Sequence, residues 1–207
     1  MNIFSKFKKL FNPIDLTEGT IWKTILLFMT PIVLSYLFQQ IYTLTDTIIC
    51  GQNLSANEVA GVNNSNSITF LALQFAMGLP AGFSVIVSKK IGEKNELDAR
   101  KSILVQLIFG FLIGAIMTLV FIFLIKPILT WMNINPSSID VNADEIYNSA
   151  YIYTLIIIIG TLPVLFYNIA LGVLRAIGDS FIPFLFLVFS TILNVGLDLL
   201  FIVILKW

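Results

Sequence analysis

Residues 103–125 read ILVQLIFGFLIGAIMTLVFIFLI, a run without a charged side chain, bounded by Lys101 and Lys126. At 1.5 Å per residue such a run reaches about 30 Å as a helix, the thickness of a bilayer's hydrocarbon core. Four further runs of this kind lie near 25–49, 59–87, 146–174 and 181–205, the first and last interrupted by one charge each, Asp46 and Asp198. Across 207 residues, 57% are hydrophobic and 12% charged, with a mean hydropathy of +0.93. Soluble domains carry roughly 25% charged residues. The pattern predicts an all-α membrane protein with about five transmembrane helices and membrane lipid as its surroundings.

The charges themselves exclude several functions. Twelve Lys and Arg balance twelve Asp and Glu, so there is no electrostatic case for binding nucleic acid. The chain has no His and a single cysteine, Cys50, which removes the commonest general base and metal ligand and any internal disulfide. Cys50 reads as a small apolar residue. No short apolar region followed by a small-residue cleavage site opens the sequence, which argues against a removable signal peptide. Residues 1–20 instead place Ile3, Phe4, Phe7, Leu10 and Phe11 at helical spacing among Lys6, Lys8 and Lys9. That spacing fits a basic helix lying on the membrane surface, or else a frayed tail.

Orientation follows from the distribution of Lys and Arg beside the spans. With the N-terminus cytoplasmic, Lys6, Lys8, Lys9, Lys23, Lys89, Lys90, Lys94, Arg100, Lys101 and Arg175 fall inside, and only Lys126 and Lys206 fall outside. The stretch 88–101 is expected as a basic cytoplasmic connection. The segments after Cys50, after Pro127 and at Trp207 are expected outside. The five spans show no internal repeat, so in a pseudo-symmetric transporter they would form only one half.

An ionisable residue at membrane depth costs about 2.5–3.5 kcal/mol on insertion scales and marks a functional candidate. Asp46 lies roughly 31 Å along the first span and Asp198 roughly 25 Å along the fifth, both toward the external side. Each continues a polar stripe, because residues three or four apart share a helix face. Ser35, Gln39, Tyr42 or Thr43, and Asp46 form one stripe; Ser190, Asn194 and Asp198 form the other. Asn63, Asn64 and Asn66 of the second span and Tyr147, Tyr151 and Thr154 of the fourth are further candidates to line an outward-opening polar cavity. Burial disfavours an ionised carboxyl and a nearby cation favours it, so such a group can take and release a proton. Asn194 adds a carbonyl oxygen suited to a hard cation such as sodium. The bland alternative is that the aspartates reach the external interface by side-chain extension.

Pro31, Pro80 and Pro163 lie inside spans and mark candidate kinks, with or without function. Gly110 and Gly114 form a small-xxx-small pair suited to close helix packing.

The order of several segments resembles the multidrug and toxic compound extrusion (MATE) transporters. Asp15-Leu16-Thr17-Glu18-Gly19, Pro31, Gln39-Gln40-Ile41-Tyr42, Asp46-Thr47-Ile48-Ile49 and Gly51 are similar to the family's first helix. Leu174-Arg175-Ala176-Ile177-Gly178-Asp179-Ser180, Pro183 and Leu193-Asn194 followed by Asp198 resemble its fourth loop and fifth helix. The acidic pair resembles the DinF-like branch. The resemblance implies a secondary transporter of twelve helices in two six-helix lobes, an antiporter exchanging sodium or protons for cationic or amphipathic drugs. It implies a cation-coupling site at Asp46, Asp198, Asn194 and Asn168, with Gln39, Tyr42, Asn64 and Tyr151 as candidate cavity lining and no metal beyond sodium. Arg175 and Asp179 are expected to be structural. Residues 21–207 would then be a partial N-terminal lobe lacking the sixth helix and the C-terminal lobe, in a bacterial plasma membrane.

Other functions compete. A non-transporting membrane fragment and a lipid-linked sugar flippase are both compatible with five apolar helices. An intramembrane aspartyl protease also uses two membrane aspartates, but its Gly-x-Gly-Asp context is replaced here by Val195-Gly196-Leu197-Asp198. No phosphate-cradling Gly-rich loop with Lys-Ser or Lys-Thr is present, so coupling would come from an ion gradient and no cofactor is expected.

Overall fold

The computed structural model describes residues 14–15, 19–135 and 143–205; the expected amphipathic helix in residues 1–20 lies almost wholly outside them. Five long helices follow in order: α1 (Ile21–Asn53), α2 (Ala56–Gly92), α3 (Glu96–Trp131), α4 (Ala143–Ala176) and α5 (Phe181–Asp198), the last continuing into a π-helical turn over Leu199–Ile204. All five are long and apolar enough to cross a membrane, and no strand occurs among the described residues. Each helix exceeds its apolar run. The 33 residues of α1 extend about 50 Å, more than the roughly 30 Å of hydrocarbon, so their ends stand in the interfaces.

The basic stretch 88–101 is nearly all helix, not the connection expected: only Glu93, Lys94 and Asn95 leave it. The cause is a Schellman end. Asn95 N–H donates to Lys90 O at 3.1 Å and Lys94 N–H to Ile91 O at 2.9 Å, with Lys94 at φ 56°. These bonds reuse the orphan carbonyls of the last turn and reverse the chain at once. Asn95 then starts α3, its Oδ1 accepting Asp98 N–H at 3.2 Å. A hydrogen bond from Lys90 at 2.8 Å holds Glu93 below the usual carboxylate range. Likewise α3 runs through Pro127 to Trp131 before Asn133, at φ 61°, closes it in the same way. At the opposite end of α2, Ser55 and Glu58 form a reciprocal capping box with bonds of 2.8 and 3.3 Å.

The chain divides into two compact units. The first comprises Met1–Asn53, Ser84–Arg100 and Leu171–Trp207; the second comprises Leu54–Phe83 and Lys101–Ala170. Within the second, Ile68 and Ala72 of α2, Ile125 and Leu129 of α3, and Ala150 and Ile158 of α4 make one core cluster, and Ala76, Leu165 and Ile169 another. Small residues allow the approach. A Cβ at Gly61 would lie 2.8 Å from Ser149 Cβ, one at Gly110 2.6 Å from Ile169 Cδ1, and one at Gly114 2.9 Å from Leu162 Cδ1. The small-xxx-small pair is therefore the seam of α3 against α4. Large side chains point outward instead, as with Phe123 at 77% and Ile156 at 63% exposure. That inverted distribution suits a lipid solvent.

Within the first unit, α1 packs along α5 and its π-helical end, with Phe38 edge-on to Phe184 at 5.7 Å. The turn into α5 is closely specified. Gly178, at φ +86°, is the C′ residue of a Schellman end in which Asp179 N–H donates to Leu174 O at 2.9 Å. Its carbonyl accepts Ile14 N–H at 3.0 Å, and a Cβ there would collide with Ile14 O. The buried Asp179 then takes Phe181 N–H and Ile182 N–H on one oxygen, each at 3.0 Å, capping α5. Gly178→Ala should lower the thermal midpoint in detergent, since the left-handed conformation alone costs about 1–2 kcal/mol with a Cβ. Gly160→Ala, where a Cβ meets nothing within 4 Å, should be neutral or mildly stabilising. An unchanged midpoint for the first would show that residue 14 does not clasp the turn.

Candidate cation site

Helix α1 carries an unusual number of hydroxyls for a span, and most are already spent. Thr30, Ser35, Thr43, Thr45 and Thr47 each donate to the carbonyl four residues earlier, at 2.7–3.0 Å. A side chain satisfied on its own helix can face lipid without a partner. The carboxylate cannot be satisfied in this way, because it has only acceptors to offer and the helix's N–H groups are in use.

Asp46 is half-buried and accepts the Cys50 thiol, one turn on, at 3.6 Å. The parallel α5 brings Asp198 to the same end of the first unit. Asp46 and Asp198 lie within electrostatic reach of each other, and Cys50 feels both. The Asp198 Oδ2 atom is buried with no hydrogen-bond partner among the described residues. Asn194, half-buried, stands one turn before it on α5. Immediately after Asp198 the backbone widens from α to π, where Leu205 N–H reaches back five residues to Leu200 O at 2.9 Å. Single π turns at a helix junction are frequent at functional sites.

The other expected residues are placed as follows. Gln39 is exposed on α1 and Tyr42 half-buried. Asn168 belongs to the second unit, where its amide donates to Val164 O at 2.9 Å. Tyr151 stacks on Tyr147 with centroids 6.2 Å apart, under Lys126 Nζ at 5.6 Å, and packs against the core. Asn64 is exposed. A groove of about 620 Å³ in the second unit is lined instead by Asn66, Ser67, Thr69, Phe70, Tyr153 and Ile157 among others. Sequence reasoning missed the thiol beside Asp46, although the i, i+4 spacing of Asp46 and Cys50 carries that signal. It also missed the π turn, for which the sequence has no comparable mark. Among the described residues no three His, Cys, Asp or Glu side chains gather into a metal site.

Five helices long and apolar enough to span a bilayer define a multi-pass membrane protein. The chain belongs to the MatE family, whose sequence profile matches residues 31–200. It is 28% identical over 182 residues to the "Probable multidrug resistance protein YoeA" of Bacillus subtilis, covering 87% of this chain and 37% of that protein. With "Probable multidrug resistance protein YpnP" of the same organism it shares 31% identity over 191 residues, covering 91% and 40%. A solved MOP superfamily transporter from Pyrococcus furiosus, described as having a binding pocket of reversed polarity that suggests a different function, superposes with a TM-score of 0.78 at 25% identity, over 92% of this chain and 40% of that one. The chain thus spans about two fifths of the length of these relatives. Membership of a transporter family sets the protease alternative aside.

A buried carboxylate oxygen without a partner is a standing cost. Asp198→Leu should raise the thermal midpoint of the detergent-solubilised chain, by an amount equivalent to about 1–3 kcal/mol, the penalty of an unsatisfied buried polar group. A fall would mean that Asp198 is already compensated in the folded protein.

Proposed function

We propose that this chain is part of a cation-coupled exporter of cationic or amphipathic compounds, in which sodium or protons bound at Asp46 and Asp198 are exchanged for the exported molecule. The observation that carries the proposal is the buried, partnerless Asp198 Oδ2 within electrostatic reach of Asp46. Such an oxygen has a need that either cation meets. Asn194, one turn before Asp198, supplies a carbonyl oxygen for it, with Gln39 and Tyr42 on α1 lining the approach. The names of the relatives support drug efflux as the activity of the longer protein, and the acidic pair supports a DinF-like branch. Residues 21–207 correspond to a partial N-terminal lobe of such a transporter, a reading supported by the two fifths of the relatives' length that they cover. The distribution of Lys and Arg beside the spans, ten on one side against two on the other, supports a bacterial plasma membrane protein with its N-terminus in the cytoplasm.

In a version extended to the length of its relatives, Asp198→Asn should abolish gradient-driven efflux, at least a tenfold loss of initial rate, while membrane insertion is retained. Undiminished efflux would remove Asp198 from coupling. Asp46→Asn tests its partner separately, and efflux surviving that change would leave Asp46 as an interfacial residue.

Orientation has its own test at the end of α1. On intact cells a membrane-impermeant maleimide should label a cysteine placed at the exposed Gln52, in a Cys50→Ser background, without permeabilisation, if α1 ends outside. Labelling that appears only after permeabilisation would invert the topology.

A further inference from the structure

The first unit holds a second polar feature, at the end of the bundle where α2 and α4 finish. A cavity of about 360 Å³ is walled by Ile14 and Asp15, by Ser88, Gly92 and Lys94 at the end of α2, and by Arg175 with the residues to Gly178 at the end of α4, among others. Its volume falls within the range of small-ligand sites. Arg175 decides its chemistry: the Nε atom is buried and has no hydrogen-bond partner among the described residues. A guanidinium offers five donors in a planar fork and cannot shed its proton, so a buried N–H on it calls for an acceptor.

The surrounding groups do not supply one. The last carbonyls of both helices are taken by their own Schellman bonds, Lys90 O and Ile91 O by the backbone of Asn95 and Lys94, Leu174 O and Arg175 O by that of Asp179 and Gly178. Lys90 is tied to Glu93 at 2.8 Å. Asp15 is the one carboxylate on the wall and has an interaction of its own, against two cations on the same wall, Lys94 and Arg175. The Schellman turn holds Lys94 on the wall at φ 56°. Helix ends are also where the apolar runs stop, so this cavity lies at the membrane–water boundary. Basic pockets between spans at that level suit phosphate headgroups.

We infer that this cavity is an anion site for a phosphate group, held by the guanidinium of Arg175 and the ammonium of Lys94. The inference does not depend on the transport reading, since it uses neither aspartate of the cation site. The phosphate can be borne by an anionic lipid or be free in solution.

The test uses the 207-residue chain in neutral detergent, with phosphatidylglycerol, phosphatidylcholine or inorganic phosphate added and bound species counted by native mass spectrometry. Phosphatidylglycerol should be retained in preference to phosphatidylcholine. Arg175→Gln and Lys94→Gln should each weaken its retention by about tenfold, the scale of one charge-assisted hydrogen bond. Arg175→Lys should recover only part of it, because the fork is lost, and Lys23→Gln, on exposed α1, should change nothing. Retention of inorganic phosphate with the same dependence on Arg175 and Lys94 would equally support the site and identify a soluble source. Two results overturn it: no preference for phosphatidylglycerol over the zwitterionic phosphatidylcholine together with no retention of inorganic phosphate, or retention by Arg175→Gln and Lys94→Gln equal to the parent's. In the latter case Arg175 serves only the α4 terminus, and its replacement lowers thermal stability alike with and without lipid.

Discussion

Everything in this molecule is subject to one constraint: inside hydrocarbon there is no water to complete an unfinished hydrogen bond. The constraint makes the backbone helical throughout the spans. It also explains why the hydroxyls of α1 fold back on carbonyls four residues earlier. Against that uniform economy the exceptions carry information. Two of them, Asp198 Oδ2 and Arg175 Nε, belong to an acidic and a basic side chain on different helices, and these are the two places where a ligand is proposed.

The same constraint sorts the remaining residues into scaffold and site. Asp179 is a buried carboxyl side chain, yet the two α5 N–H groups that it accepts account for it, so its place is at the foundation of α5. Gly178 and Ile14 complete that foundation. The small glycines of α3 let α4 approach and leave the large apolar side chains to face outward.

Much of this was legible in the sequence because lipid is a demanding solvent. The number of spans, their order and the acidic pair follow from hydropathy and from the cost of charge at depth, and the expected structural role of Asp179 is the one observed. What the sequence concealed is local. Runs of apolar residues do not reveal that polar helix ends continue past the membrane, so 88–101 passed for a connection when a left-handed Lys94 makes the reversal in three residues. The thiol of Cys50 looked apolar because its neighbour along the helix face was not counted as its partner. Distances between residues of different helices, such as those at the Arg175 cavity, depend on packing that one-dimensional periodicity does not contain.

The shortness of the turns has a consequence for how the chain is made. Only Leu54 and Ser55 separate α1 from α2, and only Glu93, Lys94 and Asn95 separate α2 from α3. So little chain cannot wait on the far side of a bilayer while its second helix hesitates. Connections this short couple the insertion of each helix to that of the next, so that topology is decided for neighbours together and not helix by helix.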